Sequence, residues 1–302
     1  MSVTPKSLIL DLLSTLPPGP RYSMPVRALV EAGSFFGLGE SSLRVALARL
    51  LARQQVERDE RGRYRLGEAS GAVSRAVHGW RSVGEQAVAW SGDWIGIHRR
   101  RGQDRALRRQ GDRSLEFMGF RELAPGLFIR PNNLRGEATA LGPRLRDLGL
   151  EESALIFGMS GLDSYARDRV LGLWDREGLE RGYGLAVQAL VESRQRLESG
   201  PAPAAMVETF EIGGRVIRQL VLDPLLPDEI VSSSLRDALL AQMLEYDAFG
   251  RNCWADFLRK HGVLHGDTPA DLRVAEGAER LASVEDPSRK IHERVLPGAE
   301  AV

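Results

Sequence analysis

The sequence predicts an α+β protein built from three structured units, and three observations lead to this fold class. Three amphipathic helices precede a β-hairpin within the first ~70 residues. A β-α-β-β-α-β pattern then extends to about residue 160. A mostly helical stretch follows, and the last ~35 residues show no sustained hydrophobic period. We therefore place units at residues 1–72, 73–162 and 163–265, with a polar, flexible tail at 266–302.

The composition is that of an ordinary globular chain and excludes several classes of protein. The 302 residues are 43% hydrophobic, and 41 Lys and Arg balance 41 Asp and Glu, which excludes a polybasic protein and an acidic disordered one. The single cysteine, Cys253, excludes a disulfide framework and a multi-cysteine metal site. No apolar run approaches the ~20 residues of a membrane helix. We expect a cytoplasmic protein that does not bind a membrane.

The balanced total hides an uneven distribution of charge. Residues 1–122 hold 20 Lys and Arg against 13 Asp and Glu, a net charge of +7, and the remainder carries −7. Only three of the basic residues are lysines, which is typical of a GC-rich genome, so position is more informative than residue type. A basic amino-terminal part predicts that this part meets a polyanion.

Hydrophobic spacing predicts the three helices of the first unit. Leucines at helical intervals indicate a helix over residues 6–16, which a Pro-Pro-Gly-Pro segment ends. A second helix is expected over 24–36, and a third over 40–56. Either Ser41 or Ser42 can cap the third helix by accepting a hydrogen bond from a free backbone amide.

The third helix has two unlike faces. With about 100° of rotation per residue, Leu47 and Leu50 lie within about 80° of Leu43 and form an apolar stripe. The opposite side carries small residues and arginine, namely Ser42, Val45, Ala48, Arg49 and Ala52, with Arg44 at the boundary. Small side chains allow close approach to a DNA major groove, where arginines reach guanine edges or phosphates.

A basic hairpin follows this helix. Two short alternating runs at 56–58 and 63–66 flank a four-residue turn containing Gly62, and Tyr64 and Leu66 alternate with arginines and are expected to pack inward. Three helices followed by such a hairpin are typical of a winged helix-turn-helix. The residues expected to face the groove are Ser41, Ser42, Arg44, Val45 and Arg49. Those expected to bind phosphates are Arg58, Arg61, Arg63 and Arg65.

The second unit reads as a ferredoxin-like, or split βαβ, domain. A strand is predicted over 90–98 and a helix over 103–118. A hairpin with a Pro-Gly turn is predicted within 121–131, a helix over 138–148 and an apolar strand over 154–160.

Several of these segments resemble the PaaX-like regulators, repressors of bacterial phenylacetate catabolism. The resemblance rests on SSLRVALARLLARQQVERDERGRYRLG, on the Trp90 and Trp94 strand with GFRELAPGLFIRPNNL, and on DPLLP at 223–227, and it extends over about residues 5–262. It implies a homodimeric repressor that binds an inverted repeat through a winged helix-turn-helix. The central domain would be similar to the ferredoxin-like nucleases of CRISPR adaptation, and the helical domain would serve dimerisation.

The resemblance also implies release of DNA by an aryl-acyl-CoA type effector. We expect that effector between the central and helical domains, where Trp174, Tyr183 and Trp254 are stacking candidates that are equally consistent with core packing. We assign no effector-binding residues, and we expect no cofactor.

Two alternatives belong to other functional classes. A metal-dependent nuclease would need a carboxylate at the end of the first central strand, but His98 and three arginines, residues 99–101, stand there, and Asp93 is expected in a turn. The three arginines are expected to form a solvated loop. His261 and His265 have the spacing of a metal pair but are expected at the surface of a helix end. We therefore expect no enzyme activity and no bound metal. The other alternative is a winged-helix protein-interaction module, whose binding would depend less on salt.

Overall fold

The computed structural model describes residues 3–16, 22–67, 70, 79–100, 105–197 and 202–263. Over these residues the chain is a mixed α+β protein, mostly helical, with two small antiparallel sheets. None of the helices within these ranges is both long enough and apolar enough to cross a membrane. The tail predicted at 266–302 lies outside the described residues.

The amino-terminal unit contains the three predicted helices and the predicted hairpin. Its elements are α1 (Pro5–Ser14), β1 (Met24–Pro25), α2 (Val26–Phe35), α3 (Glu40–Ala52), β2 (Val56–Arg58) and β3 (Arg63–Leu66). The strands form an antiparallel sheet in the order β1-β3-β2. Helix α2 starts two residues later than predicted because Met24 and Pro25 pair with Tyr64 and Arg63 of β3.

Helix α3 ends earlier than the sequence predicts. It stops at Ala52 rather than at residue 56, because Gln54 adopts a left-handed backbone with a φ of 55°. Val56 pairs with Leu66 in the hairpin instead. A Cβ atom at Gly67 would lie 2.3 Å from the carbonyl oxygen of Gln54, so the end of the hairpin packs directly against this turn.

The central unit has the predicted order of strands and helices. Its elements are β4 (Trp94–His98), α4 (Arg105–Phe117), β5 (Arg121–Ala124), β6 (Leu127–Pro131), α5 (Glu137–Asp147) and β7 (Leu155–Met159). The four strands form an antiparallel sheet in the order β5-β6-β4-β7. Strand β4 is shorter than predicted because a turn at Gly92, with a φ of 93°, precedes it.

A short 3-10 helix, Gly79–Gln86, precedes β4, and four α-helices after β7 pack against both other units within the described residues. They are α6 (Ser164–Leu171), α7 (Arg176–Leu197), α8 (Ala202–Val221) and α9 (Ser233–Lys260). Tyr183 of α7 and Leu239 of α9 belong to the hydrophobic core of the central sheet. Trp254 and Phe257, farther along α9, belong to the core that holds α3. The helical segment therefore supplies part of each core.

Polar contacts also join α9 to the amino-terminal unit. Glu31 of α2 accepts hydrogen bonds from Lys260 at 2.7 Å and pairs with His261 at 2.9 Å. The hydrogen bond from Lys260, together with the charges of Lys260 and His261, lowers the pKa of Glu31 despite partial desolvation. His261 is 4% exposed and packs against the Phe257 ring, so the prediction of a surface histidine is wrong there. His265 lies outside the described residues.

A buried arginine joins the central sheet to the segment between α8 and α9. Arg130 of β6 is 1% exposed and donates hydrogen bonds to the carbonyl oxygens of Met118, Pro131 and Pro224. Asn133 accepts a further hydrogen bond from Arg130 and donates one to the Leu225 carbonyl at 2.6 Å. The RPNN and DPLLP segments, about 90 residues apart, thus meet in one buried network.

Candidate nucleic-acid interface

The start of α3 presents its polar residues to solvent. The N-cap residue is Gly39, and no side chain caps the helix, so the prediction that Ser41 or Ser42 is the cap is wrong. Both serines instead lie in the first turn with exposed side chains. Their hydroxyl groups are accordingly available to an external partner rather than committed to the helix end.

The two faces of α3 divide as the sequence predicts. Leu43, Leu47 and Leu50 are each at most 4% exposed and pack against the other helices of the unit. The opposite face consists of exposed side chains, namely Ser41, Ser42, Arg44, Val45, Ala48, Arg49 and Ala52. Val45 is 51% exposed, so an apolar side chain also faces solvent on this side of the helix. The face is therefore open to solvent, with Arg44 and Arg49 on either side of its small residues.

Arg44 on this face already forms an ion pair within its own helix, and a third arginine lies near Arg49. Arg44 donates a hydrogen bond to Glu40 at 2.7 Å, one turn earlier on the helix, and both side chains are more than half exposed. Such a pair is worth only about 0.3–0.5 kcal/mol, so a phosphate or base edge can replace it. Arg53 is also exposed and lies one turn beyond Arg49. Sequence reasoning missed Arg53, although helical periodicity places it within about 40° of Arg49.

Asp59 fixes the shape of the hairpin turn. One of its carboxylate oxygens accepts hydrogen bonds from the backbone amides of Arg61 and Arg63, at 3.0 and 2.8 Å, and the other accepts one from the Ser23 hydroxyl at 3.0 Å. Desolvation alone would raise the pKa of Asp59, but these hydrogen bonds outweigh it and lower the pKa. Gly62 completes the turn with a φ of 76°, a value that favours glycine. The turn holds Arg61 at its tip.

The hairpin arginines fall into two pairs. Arg58 and Arg61 are exposed at and beside the turn. Arg65 instead forms an ion pair at 2.9 Å with Glu57, which lies directly opposite it on β2. Arg63 donates through Nη2 to the carbonyl oxygens of Ser23 and Gly262, at 2.6 and 2.8 Å.

These contacts change the expected role of Arg63. Its Nε also donates to the Ser23 hydroxyl at 3.0 Å, so two of its three nitrogens are bound within the protein. The residue ties β3 to β1 and to the end of α9 rather than extending into solvent. We therefore correct the expectation that Arg63 binds phosphate and retain Arg58 and Arg61 as the hairpin cations with exposed side chains. Phosphate binding by Arg65, whose ion pair with Glu57 is part-exposed, stays a prediction.

The arginine run after β4 is not uniformly solvated. Arg99 is 5% exposed and binds Glu151 at 2.7 Å and Asp112 at 2.5 Å, so the expectation of a solvated loop is wrong for this residue. Arg100 is exposed, and Arg101 lies outside the described residues. Among the residues that the structure describes, no three His, Cys, Asp or Glu side chains come together as a metal site. Asp93 is exposed in the turn before β4.

The three aromatic residues considered for effector stacking lie in the core. Trp174 stacks on Trp94 at 6.3 Å, and its indole donates to the Gly119 carbonyl. Tyr183 donates to Asp223, and Trp254 donates to the Met206 carbonyl. All three are at most 8% exposed, so the structure favours the core interpretation.

Comparison with known proteins shows a likeness in fold. No model of a protein family matches the chain, and no curated protein sequence matches it. Among solved structures, the chain is similar to the uncharacterized protein Rv0674 from Mycobacterium tuberculosis, with a TM-score of 0.54 and 22% identity. The likeness covers 83% of this chain and 98% of that chain, which is more than any single unit of the fold. At this identity it shows a related α+β fold alone.

Proposed function

We propose that the protein is a DNA-binding transcriptional regulator with an amino-terminal winged helix-turn-helix and a central ferredoxin-like domain. The order of three helices and a hairpin, with the sheet order β1-β3-β2, supports the first assignment. The order β-α-β-β-α-β, with the sheet order β5-β6-β4-β7, supports the second. The resemblance to PaaX-like regulators supports the same arrangement.

The observation that carries this proposal is the open face of α3. The exposed side chains between Arg44 and Arg49 on this face are small or apolar, Arg53 lies one turn beyond Arg49, and the hairpin beside the helix holds Arg58 and Arg61 in solvent. A duplex can approach such a helix closely, while the hairpin cations reach the phosphate backbone. We place Ser41, Ser42, Val45 and Arg49 toward the groove, together with Arg44 once it leaves Glu40.

One change separates base recognition from phosphate binding. We expect Arg44→Ala to lose about 1–3 kcal/mol on the best duplex selected from a random library, and to lose little on arbitrary duplex. It should also relax the preference at one base position. Arg61→Ala is the matched variant. Loss of a phosphate contact should weaken binding to both duplexes alike and reduce the slope of log K against log salt by about 1.

The measurement is equilibrium binding by fluorescence anisotropy over a series of salt concentrations. Equal losses by Arg44→Ala on both duplexes would move Arg44 to the phosphate-binding group. A parent protein whose binding does not weaken with salt would favour the protein-interaction alternative over DNA binding.

We further propose that the protein acts as a homodimeric repressor on an inverted repeat and is released by an aryl-acyl-CoA. A single winged helix buries only about 600–1,000 Å² on DNA, and pairing two copies raises affinity and sets half-site spacing. We expect an aryl-acetyl-CoA thioester to weaken binding to the selected duplex about 10-fold or more, which corresponds to an ordinary allosteric coupling.

A gel-shift titration checks the effector, with free coenzyme A as the control. If a panel of aryl-CoA thioesters leaves the complex intact, the effector class is wrong, while the DNA-binding proposal is unaffected. The same titration on Arg44→Ala shows whether the effector acts independently of this base contact.

A further inference from the structure

The two edges of the central sheet differ in their protection against pairing. The outer strand β5 carries Arg121 and Glu122, and its register with β6 shifts between Glu122 and Ala124. Charges and bulges of this kind prevent an edge strand from pairing with another chain. The opposite edge, β7, has the sequence LIFGM, without charge or proline, and its five residues pair in regular register with β4.

Strand β7 also exposes apolar side chains. Leu155 is 63% exposed and Phe157 is 37% exposed, and alternation places both on the same face of the sheet. A Cβ atom at Gly158 would meet no other atom within 4 Å. Within the described part of the chain no strand pairs with the outer side of β7, so alternate backbone N–H and C=O groups there point away from the sheet.

Open backbone groups on an unprotected edge are matched by another strand, and β7 is complementary to itself. We propose that β7 pairs with the β7 strand of a second copy, antiparallel across a two-fold axis, so that two four-stranded sheets join into one of eight strands. Self-pairing places no like charges opposite each other, because the strand has none. This inference deepens the proposed function, which requires two copies on an inverted repeat, and it places their contact on the central sheet instead of on the helical domain that the resemblance implies.

The two-fold axis fixes the register. A two-fold axis perpendicular to the sheet leaves each side chain on the same face in both copies. Since side chains alternate between the faces, two residues that lie opposite each other must be separated by an even number of positions in the sequence. Centring the axis on Phe157 pairs all five residues, with Phe157 opposite the partner's Phe157 and Leu155 opposite the partner's Met159. This register brings the exposed apolar side chains of both copies together on one face.

The size of the contact sets the expected strength. A standard interface covers about 800 Å² on each partner, which is more than a five-residue strand provides. We therefore expect a dimer in the micromolar range without DNA, which adjacent half-sites reinforce by raising the effective concentration of the second copy.

Single cysteines test the register in the full-length chain. In a Cys253→Ser background, Phe157→Cys should form an intermolecular disulfide under mild oxidation, because opposed residues in antiparallel strands lie about 4.5–5.5 Å apart. Leu155→Cys should not, because it lies about 13 Å or more from its own copy in this register. The double variant Leu155→Cys with Met159→Cys should cross-link again. Leu185→Cys, 67% exposed on α7, is the control for random collision.

Sedimentation equilibrium gives a second readout. We expect Phe157→Lys to weaken dimerisation about 10-fold or more, and Leu185→Lys to leave it unchanged. Binding of Phe157→Lys to a duplex with one half-site should match the parent. Cross-linking of Phe157→Cys no greater than that of Leu185→Cys, or an undiminished Phe157→Lys dimer, would overturn the proposal.

The two proposals fail independently. If the disulfide pattern is absent while duplex binding persists, the dimer face is wrong and the DNA-binding function stands. If the disulfide pattern is present while no duplex binds, the dimer stands and the regulatory function is wrong.

Discussion

Replacing Arg130 with alanine is expected to lower the free energy of unfolding by about 3–5 kcal/mol. The guanidinium is buried and donates to three carbonyl oxygens and to Asn133, and no carboxylate among the described residues pairs with it. Alanine would leave these acceptors without donors and would open a cavity between β6 and the segment at Pro224. Urea denaturation followed by circular dichroism measures the loss.

The partners of Arg130 make this arginine hard to replace. A buried pair of side chains can be exchanged for two apolar residues, but carbonyl oxygens of the main chain remain whatever side chain faces them. We therefore expect Arg130→Met, which fills much of the volume, to remain destabilised. Burial, with the nearby charge of Arg144, lowers the pKa of Arg130 to about 9, so the guanidinium stays protonated at neutral pH.

Arg130→Lys is the conservative variant in this experiment, and Arg100→Ala is its control. Lysine keeps the charge but has a single nitrogen, which cannot reach acceptors on both β6 and Pro224, so an intermediate loss is expected. Arg100 is exposed a short distance along the chain from β4, and its replacement should change stability by less than about 0.5 kcal/mol. Equal stability of Arg130→Ala and Arg100→Ala would mean that the hydrogen bonds of Arg130 do not hold the central sheet to the segment between α8 and α9.

The elements that the sequence predicts well are those specified by local pattern. The spacing of the leucines in α3 fits only a helix, and the alternation around Tyr64 fits only a strand of a hairpin. Both elements are therefore found close to their expected positions. The end of α3 was misplaced because a non-glycine residue, Gln54, adopts the left-handed conformation there. The helix propensity of glutamine does not predict this conformation.

The errors in individual side chains have a different physical origin. Arg63 binds Gly262, 199 positions later, and Glu31 pairs with His261, 230 positions later. Arg99 pairs with Glu151, 52 positions away. Each of these residues resembles a free surface charge in its local sequence, and only the packing of α9 and of the central unit supplies its partner. The exposed residues of α3 were placed correctly because no other described element packs against their face.

That exposure makes the centre of α3 the most sensitive test of function. We expect Ala48→Glu to weaken binding to the selected duplex by about 100-fold or more, because a carboxylate facing phosphates and base acceptors costs several kcal/mol. Ala48 is exposed, so the fold should be unaffected. Ala238→Glu on α9 is the matched control, since it makes the same substitution at an exposed helical alanine outside the proposed interface.

A third substitution separates fit from charge. Ala48→Arg keeps electrostatic attraction to the backbone but places a long side chain where close approach requires a small one. Its binding to arbitrary duplex should equal or exceed that of the parent, while its preference for the selected duplex falls about 10-fold or more. Anisotropy titrations with both duplexes at one salt concentration give these ratios. If Ala48→Glu and Ala48→Arg both bind as the parent does, α3 does not enter the groove, and the face of the protein that contacts DNA lies elsewhere.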